Sequence, residues 1–358
     1  METKKKLFLV DAYALIFRGY YAFIKNPRIN SKGVDTSAIM GFTNSLFDVI
    51  KREKPDYIAV CFDKGGSHDR TKIFKEYKAN RDETPEAIKI AVPYIEKILK
   101  SLNIAIVVKE GYEADDIIGT IAKKVKQKNL KTYMVTPDKD FAQLVEKDIY
   151  MYRPVFGGGY ETWGIDEVLK KFEINKTSQV IDFLAMKGDS VDNIPGLPGV
   201  GDKTAKKFIS EFGSLEGLFE NTDQLKGKIK EKVEQNKELG ILSKKLATII
   251  TDVPVSFKIE DFKLNVGELE ETKNLFDDLE FRRLSNSLNS IFSNFQETVE
   301  KKIDLKNNGQ FNLFESSEKE TISKKNNVII QKVQDGISYV LFEKKMREKK
   351  TVSYTLHK

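Results

Sequence analysis

The sequence has very little cysteine and histidine, and this shortage excludes whole classes of site. Cys61 is the single cysteine, and only two histidines occur among the 358 residues. A disulfide within the chain is therefore excluded, and a zinc site built from cysteine and histidine is not expected. No apolar run approaches the ~20 residues that cross a bilayer, and the run at 7–10 is too short for a signal-peptide core. These absences predict a protein of a reducing cytoplasm with no membrane segment.

A strong excess of charge of either sign is also missing. The length of the chain is sufficient for two domains. The net charge is +6, a mild excess that does not by itself establish a nucleic-acid partner. We predict one domain over 1–165 and a second over 166–292. The polar composition of 293–325 predicts a flexible linker. The final stretch, 326–358, is partly apolar but too short to form a further domain.

Four short apolar segments alternate with helical patterns, which predicts an α/β domain whose parallel sheet is buried on both faces. The segments span 6–10, 56–62, 104–108 and 132–136. Apolar residues between Ser37 and Ile50 recur at a helical spacing. From about 165 onward, helical segments separated by glycine- and proline-rich turns predominate, so the second domain is expected to be helical.

Acidic residues follow the end of every predicted strand and also precede a glycine-rich turn. Because the carboxyl ends of parallel strands form the ligand crevice of such sheets, these acids are expected to converge. Oxygen ligands alone favour Mg²⁺ or Mn²⁺, and two such ions about 4 Å apart can promote phosphoryl displacement. For any single acid, a simple role at a helix N-terminus is the better explanation, and Asp116 and Asp140 are the expected exceptions. The candidate ligands are Asp11, Asp63, Glu113, Asp115, Asp116, Asp138, Asp140, Asp189 and Asp192.

Residues 64–81 contain six basic side chains and two acidic ones. If the segment is helical, Lys75, Lys78 and Arg81 form one cationic stripe, and Tyr77 offers a surface for stacking. A solvated lysine-rich face is an equally good explanation from the sequence alone, but the position directly after Asp63 favours contact with a phosphate.

Basic and aromatic residues also follow Asp11. Arg18, Tyr20 and Tyr21 are weaker candidates for DNA contact, and core packing accounts equally well for the two tyrosines.

The segment 193–206 is the strongest turn signal in the chain. Gly196, Gly199 and Gly201 allow a tight hairpin between helices whose backbone N–H groups could hold a DNA phosphate, and Lys203 and Lys206 add positive charge. The order of residues differs from a Walker A loop. A plain packing turn between helices is the alternative.

These motifs together resemble the 5′-nuclease domain of bacterial DNA polymerase I, a member of the flap endonuclease superfamily, over residues 5 to about 290. The segments that carry the resemblance are Val10-Asp11, Phe62-Asp63, Tyr77-Lys-Ala-Asn-Arg81, Tyr112-Glu-Ala-Asp-Asp116, Thr136-Pro-Asp-Lys-Asp140 and Gly188-Asp-Ser-Val-Asp-Asn-Ile-Pro-Gly-Leu-Pro-Gly-Val-Gly201. The resemblance implies a PIN-like α/β domain followed by a helix-three-turn-helix region. It also implies removal of 5′ flaps and RNA primers with two Mg²⁺ ions.

The resemblance assigns roles to individual residues as well. The nine acids named above match metal ligands. Lys78 and Arg81 match residues that engage the scissile phosphate in a helical arch, expected at about 64–95, and Arg70 matches another arch residue. The glycine-rich turn matches a duplex-gripping motif at which a K⁺ ion often bridges backbone and phosphate.

The expected partners are DNA with a 5′ flap, a nick or an RNA primer, handled by a monomer near the nucleoid. Residues 309–314 resemble the linker that precedes the polymerase domains of such enzymes, but no polymerase segment follows. A separate polymerase is therefore a candidate partner, and polymerase activity is not expected from this sequence.

Two alternatives remain open. A PIN-type ribonuclease would keep the acids but would not need the glycine-rich hairpin. A branched-DNA binding protein without catalysis would lack carboxylates or the arch lysine, and this sequence lacks none of them.

Overall fold

The computed structural model describes residues 4–155, 157–292 and 328–330. Its centre is a seven-stranded sheet with the order β6-β5-β4-β1-β2-β3-β7. Every neighbouring pair is parallel except β5 and β6, which are antiparallel. The strands are β1 (Lys5–Asp11), β2 (Tyr57–Phe62), β3 (Ala105–Val108), β4 (Leu130–Val135), β5 (Ile149–Pro154), β6 (Tyr160–Trp163) and β7 (Val328–Ile330).

α-Helices, joined in places by short 3₁₀ turns, accompany the sheet within the described residues. They are α1 (Ala12–Phe23), α2 (Ser37–Glu53), α3 (His68–Ile73), α4 (Glu86–Ser101), α5 (Ala114–Val125), α6 (Ile165–Phe172), α7 (Gln179–Lys187), α8 (Asp202–Phe212), α9 (Leu215–Glu220), α10 (Lys228–Gln235), α11 (Lys237–Ala247) and α12 (Glu270–Asp278). Residues 282–292 are also helical. No helix in the described ranges is long and apolar enough to span a membrane.

The four predicted strands are present as β1 to β4, and the alternation of their side chains builds two cores. Leu7 and Leu9 of β1 face a cluster that includes α5 and continues into α7–α11, whereas Phe8 and Val10 face α1, α2 and α4. Burial on both faces explains why these strands are apolar throughout. β5 and β6 were not predicted, because their side chains are partly exposed and polar residues interrupt the apolar pattern.

The order of the strands creates a crevice beside β1. The chain builds β1, β2 and β3 on one side of the sheet and β4, β5 and β6 on the other. The direction of winding therefore reverses between β1 and β4, and at such a point the connections diverge and leave a ligand-binding crevice at the carboxyl ends of the strands. The acids that follow β1 and β4 lie at this position.

Close approach of the backbone fixes two contacts between segments of the fold. A Cβ atom on Gly41 of α2 would lie 2.3 Å from the Cα atom of Gly19 of α1, so only glycine permits this helix pair. Gly188, at the end of α7, and Gly196, in the glycine-rich turn, both have positive φ angles, and a Cβ atom on either would come within 2.6 Å of the other segment. The glycine-rich turn is thus packed backbone to backbone against the end of α7.

The expected helical arch at 64–95 differs from the structure. α3 ends at Ile73, residues 74–81 form turns, and α4 begins only at Glu86. Lys75, Lys78 and Arg81 therefore do not form a stripe on one helix. Lys78 has a φ angle of +56°, a left-handed conformation that is incompatible with a continuous right-handed helix. We call residues 74–81 the basic loop.

The predicted linker, 293–325, lies outside the described residues. Of the stretch 326–358, only the backbone of β7 is described, and it pairs with β3.

Candidate metal and phosphate site

Asp11 and Asp63 lie at the carboxyl ends of neighbouring strands. Asp11 is the last residue of β1 and caps α1, because its carboxylate accepts hydrogen bonds from the Ala14 N–H at 3.1 Å and the Thr136 hydroxyl at 3.0 Å. Asp63 follows β2 and accepts a 2.6 Å hydrogen bond from the N–H of Ala114 at the start of α5. Capping and neighbouring contacts thus orient both side chains at the crevice.

The start of α5 brings two further acids to this edge. Glu113 is buried, and its carboxylate accepts hydrogen bonds from the Lys78 ammonium at 2.7 Å and the Tyr77 hydroxyl at 3.1 Å. Asp115 differs, because its carboxylate accepts no hydrogen bond from any residue in the described ranges. Among the described residues, only the charge of a nearby cation, Lys78, is recorded as favouring the ionised form of this carboxylate.

The opposite side of the crevice carries four acids from two regions. Asp138 and Asp140 follow β4, and the Asp138 carboxylate accepts a 2.9 Å hydrogen bond from the Asp140 N–H. Asp189 and Asp192 lie in the loop after α7, where the Asp189 carboxylate accepts from the Val191 N–H at 2.8 Å. Because this loop belongs to the helical region, residues of both regions share one site.

Eight of the nine predicted acids form a single electrostatic group, since each interacts with at least one other member. Burial and then the charge of Asp63 raise the pKa of Asp11 from 3.8 to about 7. Burial and neighbouring acids also raise the pKa of Asp63, and raise those of Asp115 and Asp140 well above the ordinary value. The group comprises Asp11, Asp63, Glu113, Asp115, Asp138, Asp140, Asp189 and Asp192.

The donor chemistry of this group fits a hard divalent cation. All the donors are carboxylate oxygens, which suit Mg²⁺ or Mn²⁺, and a cation would relieve the repulsion that raises these pKa values. One oxygen of Asp140 is buried without any hydrogen-bond partner in the described structure, as expected for a group that another ligand satisfies. The acids are spread around the cleft, and no three of those described are gathered closely enough to form a ready-made cage.

Lys78 and Arg81 of the basic loop connect the two sides of this acid group. The Lys78 ammonium contacts Glu113 at 2.7 Å and Asp192 at 3.5 Å, and the Arg81 guanidinium also pairs with Asp192. Burial opposes the charge on Lys78, but Glu113 and Asp192 outweigh it and raise the pKa of the lysine. Lys78 is therefore a fixed cation at neutral pH.

Backbone contacts hold the basic loop in this position. The N–H of Lys78 donates to the carbonyl of Asp192 at 3.0 Å, the Asn80 amide to that of Ser190 at 2.6 Å, and the Asn193 amide to that of Glu76 at 2.6 Å. The loop is thus docked on the segment that supplies Asp189 and Asp192.

Asp116 and Arg70 do not belong to the open site, which corrects their expected roles as a metal ligand and an arch residue. Asp116 is completely buried, and its two oxygens each accept a 2.8 Å hydrogen bond from the Arg70 guanidinium. Arg70 is 4% exposed, and its remaining N–H groups donate to Glu113, Ser67 and the carbonyls of Leu246 and Thr248. With every donor satisfied inside the protein, the guanidinium does not face the cleft.

The stacking surface expected of Tyr77 is also corrected, whereas the DNA contact expected of Arg18 stays a prediction. Tyr77 is 8% exposed and its hydroxyl donates to Glu113, so it offers no open stacking surface. Arg18 donates a 2.9 Å hydrogen bond to the carbonyl of Val155, which follows β5. Tyr20 is partly buried against the core, whereas Tyr21 remains 58% exposed.

The residues of the glycine-rich turn have different environments. The Gly196 N–H donates to the Ser243 hydroxyl at 2.9 Å and is not available to a phosphate, which corrects that expectation. Gly199 and Gly201 are exposed, and Gly201 precedes the first turn of α8. Lys203 is exposed, whereas Lys206 pairs with Glu173 at 2.9 Å and Asp202 at 3.2 Å.

A cleft of about 760 Å³ extends from the acids to three basic residues that the sequence argument missed. Lys139, Arg153 and Lys187 line it together with Arg81 and the acids at 138, 140, 189 and 192. Their positions in the sequence could have indicated two of them, because Lys139 lies between two candidate ligands and Lys187 directly precedes Gly188-Asp189. Arg153 is held by hydrogen bonds to the Pro137 carbonyl and Glu161, and its guanidinium lies 3.9 Å from the centroid of the Trp163 ring.

Comparison with known proteins identifies the family. A family model described as the N-terminal resolvase-like domain of 5′-3′ exonucleases matches residues 6–173, and one described as their C-terminal SAM fold matches residues 175–270. The 5′-3′ exonuclease of Aquifex aeolicus is 35% identical over 288 residues, which cover 80% of this chain and 96% of that protein. The chain belongs to the 5′-3′ exonuclease family.

The other relatives include much longer proteins. DNA polymerase I of Caldicellulosiruptor bescii is 37% identical over 287 residues, which cover 79% of this chain but 33% of that protein. DNA polymerase I of Bacillus subtilis is 38% identical and is likewise covered over 33% of its length. The chain thus spans about a third of these polymerases, and the resemblance to their 5′-nuclease domain is confirmed.

Solved structures establish the fold. Zinc-bound T5 5′-exonuclease matches with a TM-score of 0.57 and 23% identity over 69% of this chain and 90% of that one. The catalytic core of Rad2 in complex with DNA substrate matches with a TM-score of 0.55 and 18% identity, covering 82% and 92% of the two chains. At these sequence identities the likeness establishes the fold alone. The expected PIN-like α/β domain followed by a helical region is confirmed.

Proposed function

We propose that the chain is a metal-dependent 5′→3′ exonuclease and 5′-flap endonuclease that hydrolyses phosphodiester bonds in DNA and RNA primers. The observation that carries the proposal is the group of eight acids at the winding reversal of the sheet, with Lys78 and Arg81 held across it. Many uncompensated carboxylates beside fixed cations suit a substrate that is itself a phosphate and arrives with divalent ions.

Two Mg²⁺ ions, or Mn²⁺ in their place, are the proposed cofactors. Asp11, Asp63, Glu113 and Asp115 would hold one side of the site, and the acids at 138, 140, 189 and 192 the other. When bound, the ions would lower the pKa of the attacking water and offset the charge on the leaving oxygen. The zinc-bound T5 5′-exonuclease supports a divalent-metal site in this fold.

Lys78 and Arg81 are the proposed contacts to the scissile phosphate. Both cations pair with Glu113 or Asp192 in the structure. When metal ions bind these carboxylates, a phosphate that enters the site would take their place as the anionic partner of the two cations. A positioned cation stabilises the negative charge that grows on the phosphoryl oxygens in the transition state. Arg70 and Asp116 have a different role in this proposal. They form a buried ion pair that holds α5 in place and thereby positions Glu113.

The exposed part of the glycine-rich turn is the proposed grip on the duplex. Gly199 and Gly201 leave the start of α8 open, where backbone N–H groups and the helix dipole favour a phosphate, and Lys203 adds charge nearby. A K⁺ ion at this turn is part of the same proposal. The Rad2 complex, which contains a DNA substrate, supports DNA as the partner of this fold.

Cleavage of labelled 5′-flap DNA, with and without Mg²⁺ and with EDTA, tests the proposal. We expect cleavage at the junction that requires the metal and disappears in Asp63→Ala, while the same variant still binds the flap DNA. Labelled single-stranded RNA serves as the competing substrate. Preferred cleavage of the RNA would identify a PIN-type ribonuclease instead, and flap binding without metal-dependent cleavage would identify a binding protein.

A further inference from the structure

Arg153 joins the hairpin of β5 and β6 to the loop that carries Asp138 and Asp140. It lies on β5 opposite Glu161 of β6, and its guanidinium donates a 2.8 Å hydrogen bond to that carboxylate. A second nitrogen of the guanidinium donates to the carbonyl of Pro137, also at 2.8 Å. The arginine therefore bridges the edge hairpin of the sheet and the loop that follows β4.

The ring of Trp163 supports this guanidinium from below. The central carbon of the guanidinium lies 3.9 Å from the ring centroid, a distance at which the planar group stacks on an aromatic face. The ring itself is 7% exposed and belongs to one of the two cores. Arg153 is thus held against a rigid surface, and this restricts the position of the Pro137 carbonyl that it binds.

The loop after β4 is held from the other side by Thr136. The Thr136 hydroxyl donates to Asp11 of β1 at 3.0 Å and accepts from the Asp138 N–H at 3.2 Å. Pro137, the residue between them, has no N–H group, so its carbonyl is the only backbone group there that can form a hydrogen bond. The bond from Arg153 uses this carbonyl. The loop that places Asp138 is therefore clamped between β1 and β5, the two strands that flank β4 in the sheet.

Two buried side-chain atoms within the described ranges lack a hydrogen-bond partner, and both belong to residues that line the cleft. One is an oxygen of Asp140, and the other is Nε of Arg153. Buried polar groups are nearly always satisfied in folded proteins, so each exception calls for an explanation. Arg153 leaves Nε unpaired while its other two nitrogens reach Glu161 and Pro137, and this supports a role at the cleft beyond closing the hairpin.

We infer that Arg153 is a positioning residue of the proposed metal site, which holds the Pro137 carbonyl so that Asp138 and Asp140 face the cleft. This inference rests on the proposed nuclease function and deepens it, because the two carboxylates are among the proposed Mg²⁺ ligands. The positive charge of Arg153 by itself repels a divalent cation. A favourable effect of the arginine on metal binding therefore comes from the geometry that it maintains and not from its charge.

The test compares the binding of Mg²⁺ alone, measured by isothermal titration calorimetry, in the wild type, Arg153→Lys and Arg153→Gln. Lysine keeps the charge but has neither the planar fork nor the stacking face of arginine, whereas glutamine also removes the charge. Arg52→Lys is the matched control, because it is the same substitution at an exposed arginine that pairs with Asp48 on α2. Trp163 is the single tryptophan of the chain, so its fluorescence emission reports whether the hairpin remains packed in each variant.

Both variants of Arg153 should weaken Mg²⁺ binding by about 10-fold or more, the loss that is typical when a group that orients a metal ligand is removed. Arg52→Lys should bind Mg²⁺ like the wild type, and the emission of Trp163 should remain that of a buried indole in all variants. Binding of 5′-flap DNA in EDTA should keep the salt dependence of the wild type, because a positioning residue does not itself contact a DNA phosphate.

Three results would overturn the inference. If Arg153→Lys binds Mg²⁺ like the wild type, or Arg153→Gln binds it more tightly, the arginine acts through its charge alone. If the slope of log K against log salt for flap DNA falls by about 0.7 to 0.9 in Arg153→Gln, the share of one phosphate contact, the arginine binds DNA instead. If Mg²⁺ binding is lost together with the buried emission of Trp163, the arginine supports the hairpin as a whole and not the loop.

These results are distinct from failure of the proposed function, because the calorimetry requires neither DNA nor cleavage. If the wild type cleaves flap DNA in Mg²⁺ while the variants of Arg153 bind the metal normally, the nuclease stands and the positioning role does not. If the wild type binds Mg²⁺ but does not cleave flap DNA, the function itself is wrong, and the comparison of the Arg153 variants still decides whether the arginine positions the metal site.

Discussion

Asp115 and Asp116 are adjacent in the sequence and lie in two opposite environments. The Asp115 carboxylate belongs to the open acid group and accepts no hydrogen bond from the described residues, whereas Asp116 is completely buried and receives both arms of the Arg70 guanidinium. Neighbouring positions on a helix point in different directions, so the first turn of α5 places one carboxylate in the cleft and the other in the interior.

The difference distinguishes a carboxylate that is available to bind a ligand from one that stabilises the fold. In the interior, a bidentate arginine and the N–H groups of Glu113 and Ile250 satisfy Asp116, leaving it nothing to offer a ligand. In the cleft, the carboxylates repel one another, and cations such as Lys78, Arg81 and Lys139 offset this repulsion in part. Such repulsion costs stability, and clusters of perturbed carboxylates are typical of functional sites, which supports the cation that we propose here.

The largest expected effect is on stability, at the buried pair. Asp116→Asn removes the bidentate counter-charge of the buried Arg70, which keeps only the longer contact with Glu113, and should lower the free energy of unfolding by about 3–5 kcal/mol. Urea unfolding followed by circular dichroism in EDTA measures this change. Asp48→Asn is the control, since Asp48 pairs with Arg52 on the exposed face of α2 and should cost at most about 1 kcal/mol. Equal effects at both sites would contradict the distinction between the two regions.

The second effect is on activity, at the open site. Asp115→Asn should reduce metal-dependent cleavage of flap DNA by more than about 100-fold, because even groups outside the first metal shell contribute about 10- to 100-fold. Its free energy of unfolding in EDTA should stay the same or rise, since the change removes one charge from a repelling group. Single-turnover cleavage and urea unfolding on the same preparation check both parts. A loss of stability similar to that of Asp116→Asn would show that Asp115 also has a structural role.

The third effect is the dependence of stability on pH, which is spread over several pH units. The pKa of Asp11 is raised from 3.8 to about 7 in the folded metal-free protein, so folded Asp11 holds its proton where the unfolded chain has lost it. The contribution of Asp11 to stability is therefore complete below pH 4 and is lost as the pH rises to about 7.

Urea unfolding in EDTA between pH 4 and 8 measures this decline. Asp11→Asn should flatten it, and Mg²⁺ should raise the stability most at the upper end of the range, where the carboxylates are ionised. The assigned pKa would be contradicted if the free energy of unfolding without metal increased between pH 4 and 8 in the wild type and to the same extent in Asp11→Asn.

Much of the fold could be predicted because its signals are local. Continuous apolar segments identified β1 to β4, and the acids after them marked the carboxyl edge of the sheet. β5 and β6 escaped because a partly exposed hairpin lacks such a pattern. The helical stripe through Lys75, Lys78 and Arg81 was wrong, because Lys78 adopts a left-handed conformation that depends on its contacts with Asp192.

The roles of individual side chains were less predictable, because they depend on what the remainder of the chain places beside them. Nothing in the residues around Arg70 indicates that the carbonyls of Leu246 and Thr248 receive its donors. Tyr77 appears beside lysines in the sequence and is nevertheless packed under them. That Lys139 and Lys187 line the same cleft requires that the end of β4 and the end of α7 meet.

The sequence by itself determined the class of the fold, the edge of the sheet where the proposed site lies and the oxygen-only donors that suit a hard cation. These properties follow from hydrophobic periodicity and from residue type, which act over a few positions. Only the tertiary structure decided which carboxylates remain open to a ligand and which cations face the cleft. That choice depends on burial and on partners distant in sequence, since the same carboxylate is structural when a buried arginine satisfies it and available for binding when nothing does.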